Sequence, residues 1–135
     1  MDIFELADTL PNGFHDARLN NFAISWVDRV AHLSLDVWIG DANGPKHLLE
    51  SYRACTLTLT EVEYVVMDPP DPRYPYRARE PVTIDLASAQ PSFLQPPASG
   101  TPFRLWVGHW NGFIHLTCVA ALLTWAGDPY VAVFK

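Results

Sequence analysis

The stretch NNFAISWVDRVAHLSLDVWI, residues 20–39, alternates apolar and polar side chains on both sides of a short charged break. A period of two predicts strands that bury one face, and the break predicts the turn of an antiparallel hairpin. With Asp28 and Arg29 as a two-residue loop, the apolar residues of both strands fall on one face, as a correct register requires. The predicted pairs are Trp26 with Ala31, Ile24 with Leu33, and Phe22 with Leu35.

Several more strand-like segments surround this hairpin. The stretch ACTLTLT, residues 54–60, alternates in the same way. The apolar residues of one face are odd-numbered up to Leu59 and even-numbered from Val62 onward. This change between Thr60 and Val62 predicts a bulge or a bend between two sheets. Residues 2–10 predict only a short helical turn. The other strand segments are residues 82–88, 103–120, 121–125 and 130–135. About seven or eight strands with little helix predict an all-β fold, either an antiparallel β-sandwich or a partly open barrel.

The composition is that of a globular protein. The chain has 135 residues, of which 49% are hydrophobic and 18% charged, so we expect a single β domain over residues 1–135. Twelve prolines argue against long helices. The formal net charge of −6 disfavours nucleic-acid binding, because that binding relies on Lys and Arg to neutralise phosphates. No apolar run approaches the length of a membrane span, so we expect no membrane association.

Two features of the sequence predict a cytoplasmic protein. Cys55 and Cys118 are far apart, form no C-x-x-C motif and lie in apolar strand-like stretches, so we expect both to be reduced core residues. The N-terminal stretch MDIFELADTL is acidic and lacks an apolar block, so we expect no signal peptide.

The stretch FRLWVGHWNGFIHLTCVA, residues 103–120, predicts another hairpin, because Asn-Gly is the preferred two-residue turn between strands. In that register His109 faces Ile114, and His109 and His115 lie on opposite faces of the hairpin. A metal ion needs ligands that converge, so we predict no metal site here. No other motif in the sequence predicts a cofactor.

The face of this hairpin that carries His115 is aromatic. With Trp110 opposite Phe113, it forms one continuous stripe. The members of this aromatic stripe are Trp106, Trp110, Phe113 and His115. The other face already supplies the core, so the stripe needs a cover, which is either internal, a protein partner or a second copy of the chain. The internal candidates for the cover are Phe4, Phe93 and Leu94. Trp is enriched at interface hot spots, so we predict an interface role for part of the stripe.

Two other segments carry candidate binding residues. The stretch NGFHDARL, residues 12–19, places His15 next to Asp16. Neighbours on a strand point to opposite faces, so we do not expect a side-by-side acid–base pair. No catalytic motif accompanies them. We interpret Asp16 as an acceptor for backbone or arginine donors and His15 as an anchor of the turn, with ligand binding as the alternative. The Pro-rich loop at residues 68–81 holds the other candidates, Arg73, Tyr74, Tyr76 and Arg77.

The element Phe14-His15-Asp16-Ala17, the strand ACTLTLTEVEYVV and the late stretch FRLWVGHWNGFIHL together carry a resemblance. They resemble a group of small bacterial all-β domains that share an F-H-D-A or H-D-A opening. Some relatives in that group are assigned as immunity proteins of polymorphic toxin systems. The resemblance spans residues 11–125. It implies an all-β fold and a protein partner, and it implies no catalytic residues.

These observations leave three functional hypotheses. The first is a non-catalytic domain that binds a protein partner by shape and charge, with immunity-type inhibition as its specific form. The second is a small-molecule-binding domain or minor enzyme with a pocket near His15 and the Arg/Tyr loop at residues 73–79. The third is a homodimer whose aromatic stripe is the subunit contact. A pocket with convergent polar groups favours the second, and a two-fold interface over Trp106 and Trp110 favours the third.

Overall fold

The computed structural model describes residues 1–41, 43–45, 50–73, 79–89 and 99–132. These residues form one short helix and nine strands, and every strand pair is antiparallel. The elements are α1 (Ile3–Asp8), β1 (Ala17–Ser25), β2 (Val30–Trp38), β3 (Ser51–Thr60), β4 (Val65–Met67), β5 (Val82–Ser88), β6 (Thr101–Val107), β7 (Gly112–Cys118), β8 (Ala120–Trp125) and β9 (Tyr130–Val131). The predicted all-β antiparallel fold is confirmed.

The short N-terminal helix is stabilised by its first turn. Asp2 accepts a hydrogen bond from the Glu5 N–H at 2.8 Å, and the Glu5 carboxylate accepts one from the Asp2 N–H at 3.0 Å. This reciprocal capping box satisfies two backbone donors that a helix start otherwise leaves free. The helix buries Ile3 and Leu6 in the core, which confirms the short helical segment expected there.

The sheet curls over its own core. The strand order is β4-β7-β6-β5-β1-β2-β3-β8, with β9 paired to β3 beside this path. Along the chain, however, β3 leads into β4 and β7 leads into β8, although the members of each pair lie at opposite ends of the order. The chain connections therefore bring the two ends of the strand order together. The Val119 N–H donates to the Thr60 carbonyl at 2.9 Å there. No continuous ladder closes the sheet there, which suits the predicted sandwich or partly open barrel.

The inner face of the curled sheet is the hydrophobic core. Alternate residues of the strands supply it, as the period-two pattern predicts. Phe14, from the loop before β1, and the two free cysteines lie in the same core. The strand residues that are most completely buried include Leu33, Leu35, Val37, Leu57, Leu59, Ile84, Phe103, Leu105, Ile114 and Leu116.

The β1–β2 hairpin has the predicted faces but not the predicted register. Ser25 pairs with Val30 and Ile24 with Ala31, so the turn comprises residues 26–29 and the two-residue loop is wrong. Arg29 takes a left-handed conformation, with φ of 53°, where β2 begins. The register differs from the predicted one by two residues, which is the period of a strand, so Phe22 and Ile24 still face the core. The predicted pairing of Trp26 with Ala31 on that face is wrong, because Trp26 lies in the turn and is 56% exposed.

A bend in the chain after β3 produces the predicted change from odd-numbered to even-numbered buried residues. Glu61 has a φ of 54°, which ends the strand, and the next residue, Val62, is fully buried. The Val62 N–H donates to the Arg29 carbonyl at 2.9 Å, so the bend is fastened to the turn of the first hairpin. From there the chain joins β7 through β4. The predicted bend is present, but it lies within one nine-stranded sheet rather than between two sheets.

The β6–β7 hairpin also has a longer loop than predicted. Val107 pairs with Gly112 and Trp106 pairs with Phe113, while Gly108–Trp110 form a single 3-10 turn. The predicted opposition of Trp110 and Phe113 is therefore wrong. The four-residue difference in register is again an even number, so the predicted faces of the two strands stand.

Asn111 and Gly112 serve this hairpin in different ways. Only Asn111 is left-handed, with φ of 51°, and it ends the 3-10 turn. Gly112 is needed for close packing, because a Cβ there would lie 3.2 Å from Asp68 Cβ and 3.2 Å from Trp110 Cδ1. The Asn-Gly pair thus marks a turn correctly, but the turn is not the two-residue type that the pair favours.

Candidate functional site

The loop between α1 and β1 holds His15 at the surface. The Asn12 side-chain amide donates to the carbonyls of Trp38, at 3.2 Å, and Gly40, at 2.7 Å. Phe14 is buried in the core, and the His15 N–H donates to the Asn12 carbonyl at 3.1 Å. With Asn12 and Phe14 both fixed, the backbone of His15 is held in place while its side chain is 60% exposed.

His15 lies between two carboxylates. Its Nδ1 is 2.5 Å from Asp85 Oδ1, on β5, and its Nε2 is 3.4 Å from Asp16 Oδ2. The Asp16 N–H also donates to Asp85 Oδ1 at 3.2 Å. On a strand His15 and Asp16 would point apart, but Asp16 is left-handed, with φ of 53°, and this local kink brings its carboxylate to His15. We call His15, Asp16 and Asp85 the His15 cluster.

A cavity of about 370 Å³ adjoins the His15 cluster. It is lined by α1, by the loop at residues 12–15 and by the second half of β5. Its apolar lining consists of Phe4, Ala7, Gly13, Phe14, Leu86 and Ala87. Its polar lining consists of Asp8, Asn12, His15, Asp85 and Ser88. Polar groups that converge beside apolar walls are typical of binding sites.

The pocket is acidic. Asp8 and Asp85 line it, and Asp16 lies beside it. Within the described ranges none of these three carboxylates forms an ion pair with Lys or Arg. Asp85 Oδ1 is engaged by His15 and Asp16, while no described group donates to its Oδ2. The site therefore presents more negative charge than His15 alone can balance.

The His15 cluster also has the spacing of a metal site. One potential ligand atom from each residue lies within 4.8 Å of the others, and in the described part of the chain no other group of three residues does so. The prediction of no metal rested on His109 and His115, which do not belong to this cluster. In the structure His15 Nδ1 hydrogen-bonds Asp85, and Nε2 lies at ion-pair distance from Asp16.

An aromatic surface continues from His15 across β1, β2, β3 and β9. The rings of His15 and Trp38 are 6.0 Å apart, and Trp38 pairs with Tyr52. Tyr52 stacks with Tyr130 at 6.4 Å, and the Arg18 guanidinium lies 4.7 Å from the Tyr52 ring centre. Burial raises the pKa of both tyrosines above the ordinary value. The outer patch comprises these residues and Asp36, which hydrogen-bonds Tyr130.

The aromatic stripe is present in part. The rings of Trp106 and Phe113 are 5.1 Å apart, those of Phe113 and His115 6.0 Å, and the Arg104 guanidinium lies 4.0 Å over Phe113. His115 is buried, with Nε2 3.0 Å from Asp68 Oδ1. Asp68 Oδ2 accepts from the Phe113 N–H at 3.0 Å. Groups of the chain itself thus cover Phe113 and His115, while Trp106 is half-buried.

The fourth member of the stripe lies in the 3-10 turn. Trp110 packs against the hydrophobic core, and its Nε1 is buried without a hydrogen-bond partner in the described ranges. His109 is in the same turn, so its predicted place on a strand face is wrong. Its Nδ1 accepts a hydrogen bond from the Thr83 N–H at 3.1 Å. His109 is hydrogen-bonded, as expected, but half-buried.

The Arg/Tyr loop contributes one described candidate. Arg73 forms an ion pair with Asp71 at 2.8 Å, and its hydrogen bonds hold the pKa of the Asp71 carboxyl well below the usual range. The Asp71 N–H donates to the Trp110 carbonyl, and its carboxylate accepts from Asn111, so this part of the loop is fixed to the β6–β7 turn. Arg73 does not line the His15 pocket. The other candidates, Tyr74, Tyr76 and Arg77, lie outside the described residues.

Sequence reasoning missed the residues that reach His15 from other strands. Asp85 is 70 positions along the chain from His15, and Trp38 is on β2. Asp85 is an outward-facing residue of an alternating strand, where a carboxylate is ordinary. Only the pairing of β5 with β1 brings it to His15.

Among the described residues that line the pocket, no nucleophile is paired with a base. Burial raises the pKa of Cys55 to about 12 and that of Cys118 to about 11, so both stay as unreactive thiols at neutral pH. Ser88 lines the pocket, but no hydrogen bond joins its hydroxyl to His15 in the described structure.

Comparison of the chain with family models, with curated proteins and with solved structures finds no match. Among the described residues no helix is long and apolar enough to cross a membrane. The fold and site define an antiparallel all-β protein with an acidic surface pocket, and its function has to be inferred from that pocket.

Replacing Asp16 with alanine should lower the free energy of unfolding by about 1–2 kcal/mol, because a left-handed backbone disfavours alanine. The lost contact with His15 adds little, since both side chains are more than half exposed. Asp16→Gly removes the same carboxylate without the backbone strain, so it should be the more stable of the two variants. Urea denaturation of both measures this, and an alanine variant as stable as the glycine variant would contradict it.

Proposed function

We propose that this protein is a non-catalytic, cytoplasmic binding domain whose partner is a protein and whose recognition site is the His15 pocket. The observation that carries the proposal is that the groups converging beside the cavity, His15, Asp16 and Asp85, lie on an open surface rather than inside an enclosed pocket. The side chains of His15 and Asp16 are more than half exposed, so the core does not need them. The two free, buried cysteines of the chain, Cys55 and Cys118, support a cytoplasmic location.

The size and openness of the pocket support a protein partner over a small molecule. Small-molecule sites typically enclose roughly 300–1,000 Å³ and bury most of the ligand. The cavity of about 370 Å³ is near the lower end, and its rim residue His15 is 60% exposed. A small ligand would stay partly in water, whereas a protein would cover the rim. A small-molecule ligand remains the second candidate, because the cavity itself favours it.

Immunity-type inhibition is the specific form of this function that we propose. An inhibitor of this kind acts by shape and charge without turnover, which suits a pocket whose described residues include no nucleophile–base pair. The acidic balance of the chain, 15 Asp and Glu against 9 Lys and Arg, supports the same form. Its partner would be a toxin that the same cell produces.

Affinity purification from the native cell tests the proposed function. Wild-type protein should retain a stoichiometric protein partner, and Asp85→Asn should retain much less of it. The asparagine oxygen can still accept from the Asp16 N–H, so this change removes charge with little effect on the fold. Asp128→Asn is the matched control, because Asp128 is exposed and does not line the pocket.

Two results would contradict the proposal. If wild-type protein retains no stoichiometric partner, the protein-binding function is wrong. If Asp85→Asn and Asp128→Asn retain the partner equally well, the His15 pocket is not the recognition site. Each variant is first compared with the wild type by circular dichroism, so that loss of the partner is not confused with loss of the fold.

A further inference from the structure

We infer that the group that fills the His15 pocket is the arginine side chain of a basic protein partner. This inference rests on the proposed function and names the chemistry of its site. Three features carry it: the placement of carboxylates on two sides of the cavity, the apolar walls between them, and the aromatic outer patch that begins at His15.

The carboxylates of the pocket come from two different elements. Asp8 belongs to α1 and Asp85 to β5, and the cavity lies between these elements. Neither pairs with Lys or Arg in the ranges that the structure describes, and Oδ2 of Asp85 accepts no hydrogen bond there. A guanidinium presents five N–H donors in a planar fork, which suits a cavity whose lining includes carboxylates from two elements.

The rest of the lining suits the stem of an arginine. Phe4, Ala7 and Leu86 supply apolar surface next to the carboxylates. Arginine buries its methylene groups along such surface while its charged end reaches polar partners. A guanidinium is also more weakly hydrated than an ammonium group, so it loses less on entering a half-buried site than lysine does.

The outer patch supplies the contact area around the inserted side chain. It is continuous with the pocket, because the His15 ring contacts Trp38 and Trp38 pairs with Tyr52. Tyr130, which stacks on Tyr52, is exposed at the surface. Trp, Tyr and Arg are the residues most enriched at the hot spots of protein interfaces. Tyr52 is already buried by the chain itself, so the exposed part of the patch is His15 and Tyr130. A free amino acid would leave this part uncovered, whereas a protein that carries the arginine would bury it.

The charge of the whole chain agrees with a basic partner. The formal net charge is −6, and the carboxylates of Asp8, Asp16 and Asp85 outnumber the single histidine at the site even when its ring is protonated. Complementary charge speeds association and disfavours acidic competitors. Binding should therefore weaken as the salt concentration rises.

Heteronuclear NMR with capped amino acids tests the inference directly. The probes are N-acetyl-arginine methylamide, the lysine analogue and the neutral citrulline analogue, each titrated into the full chain. The arginine probe should shift the amide signals of His15, Asp16 and Asp85 in a saturable way. The lysine probe should bind more weakly, and the citrulline probe should cause no such shifts.

Two variants make the test specific. Asp85→Asn should weaken binding of the arginine probe by about tenfold, because it removes a charge-assisted hydrogen-bond acceptor. Asp128→Asn, the same chemical change outside the pocket, should leave binding of the probe unchanged. Equal shifts with the citrulline or lysine probe would overturn the inference, as would equal binding by Asp85→Asn.

The outcomes separate this inference from the proposed function. If the arginine probe does not bind but Asp85→Asn still loses the protein partner, the arginine assignment is wrong and the protein-binding function stands. If the probe binds at the pocket but wild-type protein retains no partner, the protein-binding function is wrong, and so is the assignment of the arginine to a protein.

Discussion

Replacing Phe103 with alanine should lower the free energy of unfolding by about 3–5 kcal/mol. Phe103 is 1% exposed and is among the largest side chains that the core fully encloses. It lies on β6, paired with Ser88 of β5 on one side and Leu116 of β7 on the other. Rigid paired strands on both sides keep the surrounding atoms from collapsing into the space, so the loss includes a cavity cost as well as the lost burial.

Leu122→Ala is the control for this prediction. Leu122 is also an apolar residue of a paired strand, but it is 63% exposed on β8. Its replacement should change stability by less than about 0.5 kcal/mol, as surface substitutions usually do. Urea denaturation of both variants measures the difference. A Phe103→Ala variant no less stable than Leu122→Ala would show that β6 does not face the core as described.

Trp110→Ala should cost about 3 kcal/mol, the lower end of the range for truncating a large aromatic residue, because the ring is only half-buried. The ring packs against the core from the 3-10 turn, and Gly112 lies against its edge. Trp110→Phe keeps most of that packing and removes the buried Nε1 donor, which has no partner in the described structure. It should therefore cost less than about 1 kcal/mol.

These two variants also test the predicted interface role of the aromatic stripe. Sedimentation of the wild type and both variants gives the state of association, and urea denaturation gives the stability. A monomeric wild type whose alanine variant only unfolds more easily would exclude self-association through Trp110. A wild-type dimer that Trp110→Ala dissociates, with no loss of monomer stability, would contradict internal packing and favour the interface.

The strand content and the buried faces could be predicted because they depend on local alternation. In β2, Leu33, Leu35 and Val37 are all buried, and their neighbours His32 and Ser34 are exposed, as the period of two requires. The bend after Thr60 was visible for the same reason, since a change of buried parity needs a break in the strand. No distant residue has to be known for either prediction.

The strand registers were harder to predict from the sequence than the buried faces. Both hairpins have longer turns than their sequences favour: residues 26–29 in the first and residues 108–111 in the second. In the second hairpin the tertiary contacts of the turn compete with local preference, because Trp110 packs on the core and Asp71 binds its carbonyl. The errors were of two and four residues, and even shifts leave the faces of a strand unchanged.

The candidate site was predicted only at its centre. His15 and Asp16 stood out in the sequence as a turn residue and its neighbour, but the local kink that brings the two side chains together could not be read from it. The left-handed backbone of Asp16 depends on its surroundings, where its N–H and the ring of His15 both bind Asp85. The acidic pocket exists because α1 and β5 come together around that loop.

The sequence by itself thus determined the fold class, the alternating faces and the position of His15, because these follow from residues a few positions apart. Only the tertiary structure decided which distant side chains meet. Asp85 reaches His15 through the pairing of β5 with β1, and Trp38 reaches it from β2. Alternation states which face a residue occupies but not which strand lies beside it. Strand order depends on the free energy of the whole curled sheet rather than on any one segment.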